Sequence, residues 1–104
     1  MFGTMTRFRP KAGCEDAFRD YLTGEGAERS REIEGFLSEY LLEPVNPGED
    51  WVAFIVFDSE ANYRKNAVDP AQDEEYRKLL EHVTAPPTWL DGIIRPVEAS
   101  SVAI

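Results

Sequence analysis

The stretch Trp51-Val-Ala-Phe-Ile-Val-Phe57 is an unbroken apolar run, and it decides the fold of this chain. Gly48-Glu49-Asp50 precede the run and Asp58-Ser59 follow it. A run so short and so rich in β-branched and aromatic residues predicts a β-strand with both faces buried. Helices can cover only one of these faces, so the other face needs a second cover.

Size and charge narrow the classes of protein to which the chain can belong. With 104 residues it is expected to form one domain that buries roughly two-thirds of its unfolded surface. Its net charge of -9 repels polyanions and predicts no nucleic-acid partner. No apolar stretch approaches the roughly 20 residues of a membrane span. With no secretory pattern at the N-terminus, the sequence predicts a cytoplasmic protein without membrane association.

The N-terminal third of the chain predicts a strand followed by an interrupted helix. Residues 2–9 alternate with a period of two, which is typical of a strand. From Cys14, the single cysteine, the apolar positions change to helical spacing. Gly24 and Gly26 weaken this helix, and we expect it to kink there and to end at Gly35. One cysteine alone forms no internal disulfide or multi-cysteine metal site.

Two further strands and a terminal strand are predicted. Phe36–Leu42 is expected to pair antiparallel with Trp51–Phe57 through a turn rich in proline and glycine. After two consecutive prolines, residues 88–92 are expected to be a connector. Residues 92–97 are expected to form the last strand, at the periphery because it contains a proline.

Two helices are predicted between the third and the last strand. The first is expected to begin at Asp58 or Ser59. The second is expected to be capped by Asp69, with Pro70 at its first position. Gln72 follows Asp69 at the spacing of a capping box.

The order β, α, β, β, α, β predicts an α+β fold of the ferredoxin-like type, with both helical regions on one face of an antiparallel sheet. We expect residues 1–97 to form this domain and 98–104 to form a C-terminal tail. The opposite face stays apolar whichever side the helices cover, because both sides of the run are apolar. One side carries Trp51, Ala53, Ile55 and Phe57, and the other carries Val52, Phe54 and Val56. The sequence therefore predicts a homodimer packed sheet to sheet. The alternative is a monomer whose tail covers the sheet.

Three short patterns mark the boundaries of these elements. They are Phe8-Arg9-Pro10-Lys11-Ala12-Gly13 before an acidic helix, Ile33-Glu34-Gly35-Phe36-Leu37 entering a strand, and Phe57-Asp58-Ser59-Glu60-Ala61 entering a short helix. This layout, which spans residues 2–97, resembles the antibiotic biosynthesis monooxygenase domain of the dimeric α/β barrel superfamily. The resemblance implies a homodimer whose sheets form a barrel, with a pocket between the sheet and the helices of each subunit.

The same resemblance suggests an activity. Members of the family include cofactor-free oxygenases of polycyclic aromatic phenols, quinol oxygenases, haem-degrading enzymes and proteins without a known activity. It implies a cofactor-independent monooxygenase that uses O2 on a small aromatic substrate of the phenol, quinol or polyketide type. No cofactor and no metal ion are expected. The alternative is a non-catalytic small-molecule-binding protein of the same fold.

Four residues are candidates for catalysis. A cofactor-free oxygenase needs an apolar pocket, a group that helps to deprotonate a phenol, and dipoles that stabilise the anion. Asn66 is the first candidate because many family members carry a histidine or tryptophan at its position, although it also fits an exposed helix end. Tyr63 and Tyr76 can donate or relay a proton, or simply pack. His82 is the only histidine, but its position on the polar edge of the last helix predicts solvent exposure.

Four other residues are candidates for binding the aromatic substrate. Asn62 precedes Asn66 by about one helical turn. Trp89 can form a wall of an aromatic site or plug the end of the barrel. Arg95, predicted on the last strand, can pair with an anionic intermediate or form a surface ion pair. Phe54 of the third strand is the fourth candidate.

Haem chemistry is disfavoured by three positions. Haem-degrading members of the family carry a histidine on the later helix, an asparagine on the first strand and a tryptophan on the short helix. The matching positions of this sequence hold Tyr76, Thr6 and Asn66. The two histidines common in small members that resemble quinol oxygenases are also absent. Oxygenase, non-catalytic binder and haem protein remain three open hypotheses, the last being the weakest.

Overall fold

The computed structural model describes residues 1–98, of which only residue 98 belongs to the predicted C-terminal tail. The strands within this range are β1 (Phe2–Phe8), β2 (Phe36–Leu42), β3 (Trp51–Phe57) and β4 (Thr88–Ile93). The helices are α1 (Glu15–Thr23), α2 (Glu25–Arg31), α3 (Glu60–Ala67) and α4 (Pro70–Leu80). No helix within residues 1–98 has the length and apolar composition needed to cross a membrane.

The four strands form one antiparallel sheet in the order β2-β3-β1-β4. In this order β1 and β3 occupy the centre, while β2 and β4 lie at the edges. The arrangement is that of the ferredoxin-like fold, in which the helical crossovers follow the first and third strands. The predicted fold class is therefore confirmed, and so is the hairpin of β2 and β3.

Alternate residues of the sheet point to its two faces. On the face that packs against the helices, Trp51, Ala53 and Phe57 of β3 are buried. We call the opposite side the outer face; the apolar side chains exposed there are Tyr40, Leu42, Phe54 and Leu90. The apolar outer face predicted for β3 is thus present within residues 1–98, although Val52 near one end of the strand is buried.

The first helical region is interrupted at a glycine, as predicted, but it ends at Arg31 and not at Gly35. Gly24 separates α1 from α2. Gly35 adopts a φ of 79°, a left-handed conformation that favours glycine. A Cβ atom at Gly35 would also lie 2.5 Å from the side-chain nitrogen of Asn62. Position 35 therefore requires glycine for both its backbone conformation and its packing.

Side-chain caps begin α3 and α4. The hydroxyl of Ser59 accepts a hydrogen bond from the backbone N–H of Asn62 at 3.2 Å. The carboxylate of Asp69 accepts one from the N–H of Ala71 at 2.9 Å, and Pro70 is the first residue of α4. Both starts match the prediction, because these caps satisfy N–H groups that lack helical partners.

The prediction for the last strand was wrong in its bounds. The strand runs over Thr88–Ile93 and not over residues 92–97. Its length follows from pairing with β1, which places Thr88 opposite Arg7 and Ile93 opposite Phe2. As a result Trp89 belongs to a strand and not to a connector, and Arg95 lies beyond the strand that was expected to contain it.

One aromatic cluster fills the space between α1 and one end of the sheet. We call it the Phe18 cluster. Phe18 is fully buried, with its ring centroid 5.2 Å from that of Phe8 and 5.9 Å from that of Trp51. Ala53 and Val83 complete the buried part of this cluster. It is the main hydrophobic core, because partly buried residues of α1, α4 and β2 pack against it.

A second aromatic cluster lies at the other end of the sheet, under α3. We call it the Phe57 cluster. The ring centroid of Tyr63 lies 5.2 Å from that of Phe2 and 5.6 Å from that of Phe57. Since Phe2 pairs with Phe57 and Phe8 pairs with Trp51, the two clusters are separated by the length of β1, about 20 Å. The middle of the sheet lies between them.

Candidate active site

A cavity lies over the middle of the sheet, between the two aromatic clusters. Its two adjoining parts have volumes of about 130 Å³ and 260 Å³. Thr6 and Ala53, which pair across β1 and β3, form the floor of the smaller part. Thr4 and Ile55 form the next row, which is the floor of the larger part. Because these side chains are smaller than the aromatic rings at either end, the sheet leaves space here.

The four helices supply the walls of the cavity. Tyr21, Leu22, Gly26, Arg29 and Ser30 of α1 and α2 line the smaller part. Six residues are shared by both parts: Ile55, Phe57, Asn66, Gln72, Tyr76 and Trp89. Three of the residues predicted from the sequence, Asn66, Tyr76 and Trp89, are therefore brought together in one place.

Two amide side chains form a pair at the junction of α3 and α4. The side-chain nitrogen of Asn66 donates a hydrogen bond to the side-chain oxygen of Gln72 at 3.2 Å. Gln72 thus pairs with Asn66 and forms no capping box with Asp69, so that prediction was wrong. An amide carries both donors and an acceptor. The Asn66–Gln72 pair therefore keeps further donor and acceptor capacity for a ligand oxygen in the cavity that both residues line.

Tyr76 and Trp89 form an aromatic side of the cavity. Their ring centroids are 6.4 Å apart and their planes are inclined by 46°. Tyr76 comes from α4 and Trp89 from β4, where it pairs with Thr6. Within residues 1–98 neither the hydroxyl of Tyr76 nor the indole N–H of Trp89 makes a hydrogen bond to protein. Both groups can therefore donate to a ligand.

Tyr63 belongs both to the Phe57 cluster and to the lining of the larger part of the cavity. Its hydroxyl donates a hydrogen bond to the carboxylate of Asp91 at 2.8 Å. Arg64 lies 3.5 Å from the other oxygen of the same carboxylate. Burial raises the pKa of the Tyr63 hydroxyl, and the bond to Asp91 raises it further. Tyr63 is therefore a neutral hydrogen-bonding group at neutral pH.

In the smaller part of the cavity, two hydroxyl groups are hydrogen-bonded to carboxylates. The hydroxyl of Tyr21 donates to the carboxylate of Glu75, and burial followed by this bond raises the pKa of Tyr21. The hydroxyl of Ser30 donates to Glu39 at 3.3 Å. Glu39 as a whole is exposed, but protein atoms surround its carboxyl group. This burial raises the pKa of the carboxyl, and the hydrogen bond from Ser30 partly opposes the rise.

Three predicted substrate-binding residues lie outside the cavity lining. Asn62 donates a side-chain hydrogen bond to the carboxylate of Asp58 at 2.9 Å, which holds the start of α3 against Gly35. Phe54 points to the outer face, where it is 41% exposed. Arg95 is exposed and follows the end of β4. Of the four predicted substrate-binding residues, only Trp89 lines the cavity.

His82 lies outside the cavity lining, and its predicted solvent exposure was wrong. Because α4 ends at Leu80, His82 lies just beyond the helix and is half-buried. Its ring stacks on those of Phe18 and Tyr21, with centroids 5.5 Å and 5.6 Å away, and its Nδ1 atom lies 2.8 Å from the carbonyl of Lys78. Within residues 1–98, no group of three or more His, Cys, Asp or Glu side chains is arranged to hold a metal ion.

Sequence reasoning missed several polar residues of the cavity, and two of them, Thr6 and Gln72, show why. Thr6 is on the same side of β1 as Phe2 and Phe8, so its alternation with apolar residues was a signal that a hydroxyl faces the interior. Gln72 was predicted to form a capping box with Asp69 at the start of α4, and not to line the cavity. Its contact with Asn66 depends on the turn between α3 and α4, which no local pattern specifies.

Comparison with solved structures finds several proteins of the same fold, two of which are named as oxygenases. A monooxygenase from the gene ActVA-Orf6 of Streptomyces coelicolor, in complex with nanaomycin D, is similar with a TM-score of 0.78 and 25% identity over 96% of this chain and 92% of that chain. SnoaB, a cofactor-independent oxygenase from Streptomyces nogalater solved in a mutant form, is similar with a TM-score of 0.76 and 17% identity over 92% and 94% of the chains. Rv0793 from Mycobacterium tuberculosis is similar with a TM-score of 0.71 and 21% identity over 96% and 98%.

Sequence comparison gives the family. No curated protein sequence matches the chain at a significant level. The model of the antibiotic biosynthesis monooxygenase family matches residues 1–66, which include β1 to β3 and most of α3. This match covers more than half of the chain, and it agrees with the fold of the solved structures. The chain therefore belongs to the antibiotic biosynthesis monooxygenase family.

Proposed function

We propose that the protein is a cofactor-independent monooxygenase that inserts one atom of O2 into a small aromatic substrate of the phenol, quinol or polyketide type. The observation that carries this proposal is the cavity, where apolar and aromatic side chains surround the Asn66–Gln72 amide pair. Membership of the family supports the reaction type. Two similar structures support it further, since one is named a monooxygenase and the other a cofactor-independent oxygenase.

The size and shape of the cavity favour a flat fused-ring substrate. Small-molecule sites in proteins have volumes of roughly 300 to 1,000 Å³. The two parts, about 130 Å³ and 260 Å³, reach the lower end of this range only when one ligand occupies both. A bicyclic ring system over Ile55, between the helices and the sheet, fits this requirement.

The substrate itself supplies the electrons for the reaction. Loss of a phenolic proton gives a phenolate, whose ring transfers an electron to O2. Recombination then forms a carbon–oxygen bond. Loss of the ring proton and cleavage of the oxygen–oxygen bond leave a ring carbonyl or hydroxyl and release the second oxygen atom as water. With 1,4-dihydroxynaphthalene, one quinol and one O2 give one 2-hydroxy-1,4-naphthoquinone and one water.

The side chains of the cavity stabilise the charge that develops in this sequence. The donor groups of the Asn66–Gln72 pair bind the phenolate oxygen, because fixed dipoles stabilise negative charge as it develops. The hydroxyl of Tyr63 accepts a hydrogen bond from the phenol of the substrate and donates one to Asp91. It can therefore pass the phenolic proton towards that carboxylate. The hydroxyl of Tyr76, which lines the same cavity, donates a hydrogen bond to the intermediate.

Oxygen labelling tests the proposed reaction. Purified protein is mixed with 1,4-dihydroxynaphthalene under oxygen-18 gas, O2 uptake is followed, and products are identified by mass spectrometry. The expected result is uptake faster than in buffer, with one labelled oxygen in each molecule of hydroxyquinone and no hydrogen peroxide. Uptake that yields only unlabelled naphthoquinone and peroxide would contradict a monooxygenase.

A non-catalytic binding protein is the second candidate. One observation favours it: no histidine lines the cavity, so the usual proton acceptor at neutral pH is missing from the described lining. This candidate predicts saturable binding of the aromatic in the absence of O2, and no uptake above the rate in buffer when O2 is admitted. Catalysed uptake with label incorporation would exclude it.

We also propose that two copies associate through their outer faces. Tyr40, Leu42 and Leu90 are 66%, 57% and 65% exposed on this face. An exposed apolar surface of this kind indicates a protein interface. Because β1 and β3 contribute residues to both faces, the same two strands would support the dimer and form the floor of the cavity. Light scattering that gives the mass of a monomer at all concentrations would contradict this association.

A further inference from the structure

Thr6 carries a buried hydroxyl with no hydrogen-bond partner. The residue is 3% exposed, and its Oγ1 atom makes no hydrogen bond to any residue within the described range 1–98. Buried hydroxyl groups are nearly always paired, because removal from water without a new partner is unfavourable. The side chain of Thr6 lines the smaller part of the cavity. Its unused hydrogen-bonding capacity is therefore available to a ligand.

Thr4 is the natural comparison for Thr6, because a buried threonine hydroxyl on this strand can find a partner. It lies two residues away on the same face of β1 and is 5% exposed. Its hydroxyl donates to the backbone carbonyl of Leu90 at 3.2 Å. Two residues of the same type on one strand and face thus differ in one respect: the protein uses the hydroxyl of Thr4 and does not use that of Thr6.

The neighbours of Thr6 across the sheet explain why its hydroxyl stays free. Ala53 on β3 carries no polar group, and Trp89 on β4 offers a donor but no acceptor. The small side chain of Ala53 also leaves space above the floor, so that an aromatic ring can approach the hydroxyl. A ring placed there has Thr6 on its sheet side and the Asn66–Gln72 pair on its helix side.

We propose that Thr6 determines specificity by forming a hydrogen bond to a second ring oxygen of the substrate. The Asn66–Gln72 pair then holds one oxygen and Thr6 holds the other, so the site selects fused aromatics that carry oxygen at two positions. A threonine hydroxyl both donates and accepts, so it can bind a phenolic hydroxyl and a quinone carbonyl equally. This inference rests on the proposed function, since it assigns part of the same cavity.

Calorimetric titration under argon tests the inference without turnover. The two probes are 1,4-dihydroxynaphthalene, with two ring oxygens, and 1-naphthol, with one. We expect the protein to bind the first about tenfold more tightly than the second. Thr6→Val and Thr6→Ala, which both lack the hydroxyl, are expected to bind the two probes with equal affinity. Thr6→Ser is expected to keep the preference, and so is the matched control Thr88→Val, because Thr88 lies on β4 outside the cavity lining.

Thermal unfolding without ligand distinguishes a ligand-binding hydroxyl from a structural one. Thr6→Val removes an unpaired buried hydroxyl and keeps the shape of the side chain, so the melting temperature is expected to stay the same or rise. Thr4→Val removes the hydrogen bond that the Thr4 hydroxyl donates to the carbonyl of Leu90, and the melting temperature is expected to fall. A Thr6→Val protein that melts well below the unmodified protein would indicate a structural role and overturn the inference.

The two proposals fail in different ways. If the unmodified protein and the folded Thr6→Val and Thr6→Ala variants all prefer the two-oxygen probe equally, the role of Thr6 is overturned while the oxygenase proposal stands. If the unmodified protein binds neither probe, the cavity does not take such aromatics and both proposals are overturned.

Discussion

The two faces of the sheet depart from the usual distribution of side chains in opposite ways. On the helix side, β1 buries two threonines, Thr4 and Thr6, in the middle of the core face. On the outer face, Tyr40, Leu42 and Leu90 each leave more than half of their surface exposed. One face thus buries polar groups and the other exposes apolar ones.

Each of these unusual features indicates the kind of binding partner that would stabilise it. A buried hydroxyl without a partner indicates a polar ligand, because pairing it would recover the interaction that it lost with water. An exposed apolar surface indicates an apolar partner, because its burial is favourable by roughly 25 cal/mol per Å². These two departures are the basis for the proposals that the helix side binds a small molecule and that the outer face binds a second copy of the chain.

Removal of a large ring from each side of the sheet gives the largest contrast. Phe18→Ala is expected to lower the free energy of unfolding by about 3–5 kcal/mol, because Phe18 is fully buried in the core. Phe54→Ala on the outer face is expected to cost less, and its cost should grow with protein concentration as dimers form. Urea denaturation at two protein concentrations measures both. A loss for Phe54→Ala that equals that of Phe18→Ala in dilute solution would contradict the assignment of the faces.

A charge on the outer face is expected to separate the two copies. Leu42→Glu places a carboxylate in an apolar interface, and we expect the dissociation constant of the dimer to rise roughly a hundredfold or more. Sedimentation or light scattering measures this change. Val68→Glu is the matched control, because Val68 is 80% exposed at the end of α3, away from the outer face. If both variants keep or lose the dimer together, the interface lies elsewhere.

Two asparagines of α3 provide a test of the cavity side. Asn66→Ala removes one member of the amide pair, and kcat/KM for 1,4-dihydroxynaphthalene is expected to fall about a hundredfold. Asn62→Ala removes an amide of the same helix that is bonded to Asp58 outside the cavity. It is expected to retain activity, with a small loss of stability. Equal activity of Asn66→Ala and the unmodified protein would exclude the proposed role of the amide pair.

The pH dependence of stability gives the smallest expected effect, and it concerns the helix side alone. Burial raises the pKa values of Tyr21 and Tyr63 above the ordinary 10.0. The stability that their neutral forms provide is therefore complete below pH 10 and is lost as the pH rises above it. Tyr21→Phe and Tyr63→Phe are each expected to flatten this alkaline loss in urea titrations. An alkaline loss that is unchanged in both variants would contradict the burial of these hydroxyl groups.

Much of the fold could be predicted because its signals are local. The strand Trp51–Phe57 has a composition that favours strands, and the caps at Ser59 and Asp69 lie within a few residues of the helices that they begin. The bounds of β4 could not be predicted in this way. They are set by the register with β1, a strand that lies more than 80 residues earlier in the chain.

The candidate site was predictable only in part, and the reason is again one of distance along the chain. Tyr63 and Tyr76 were identified by residue type and by position on helices, and Asn66 was identified mainly by its matching position in the resembling family. The hydrogen bond from Asn66 to Gln72, the unpaired hydroxyl of Thr6 and the inward position of His82 each depend on contacts between separate elements. Such contacts leave no repeating pattern in the sequence.

The sequence by itself determined that Trp51–Phe57 is a strand with two apolar faces, because alternation with a period of two is a property of the strand alone. Tertiary structure decided what each face does. The helices cover the face of Trp51 and Phe57 and leave a cavity over Thr6, where small side chains lie between two aromatic clusters. The face of Phe54 stays uncovered within residues 1–98, because one layer of helices can bury only one side of a sheet.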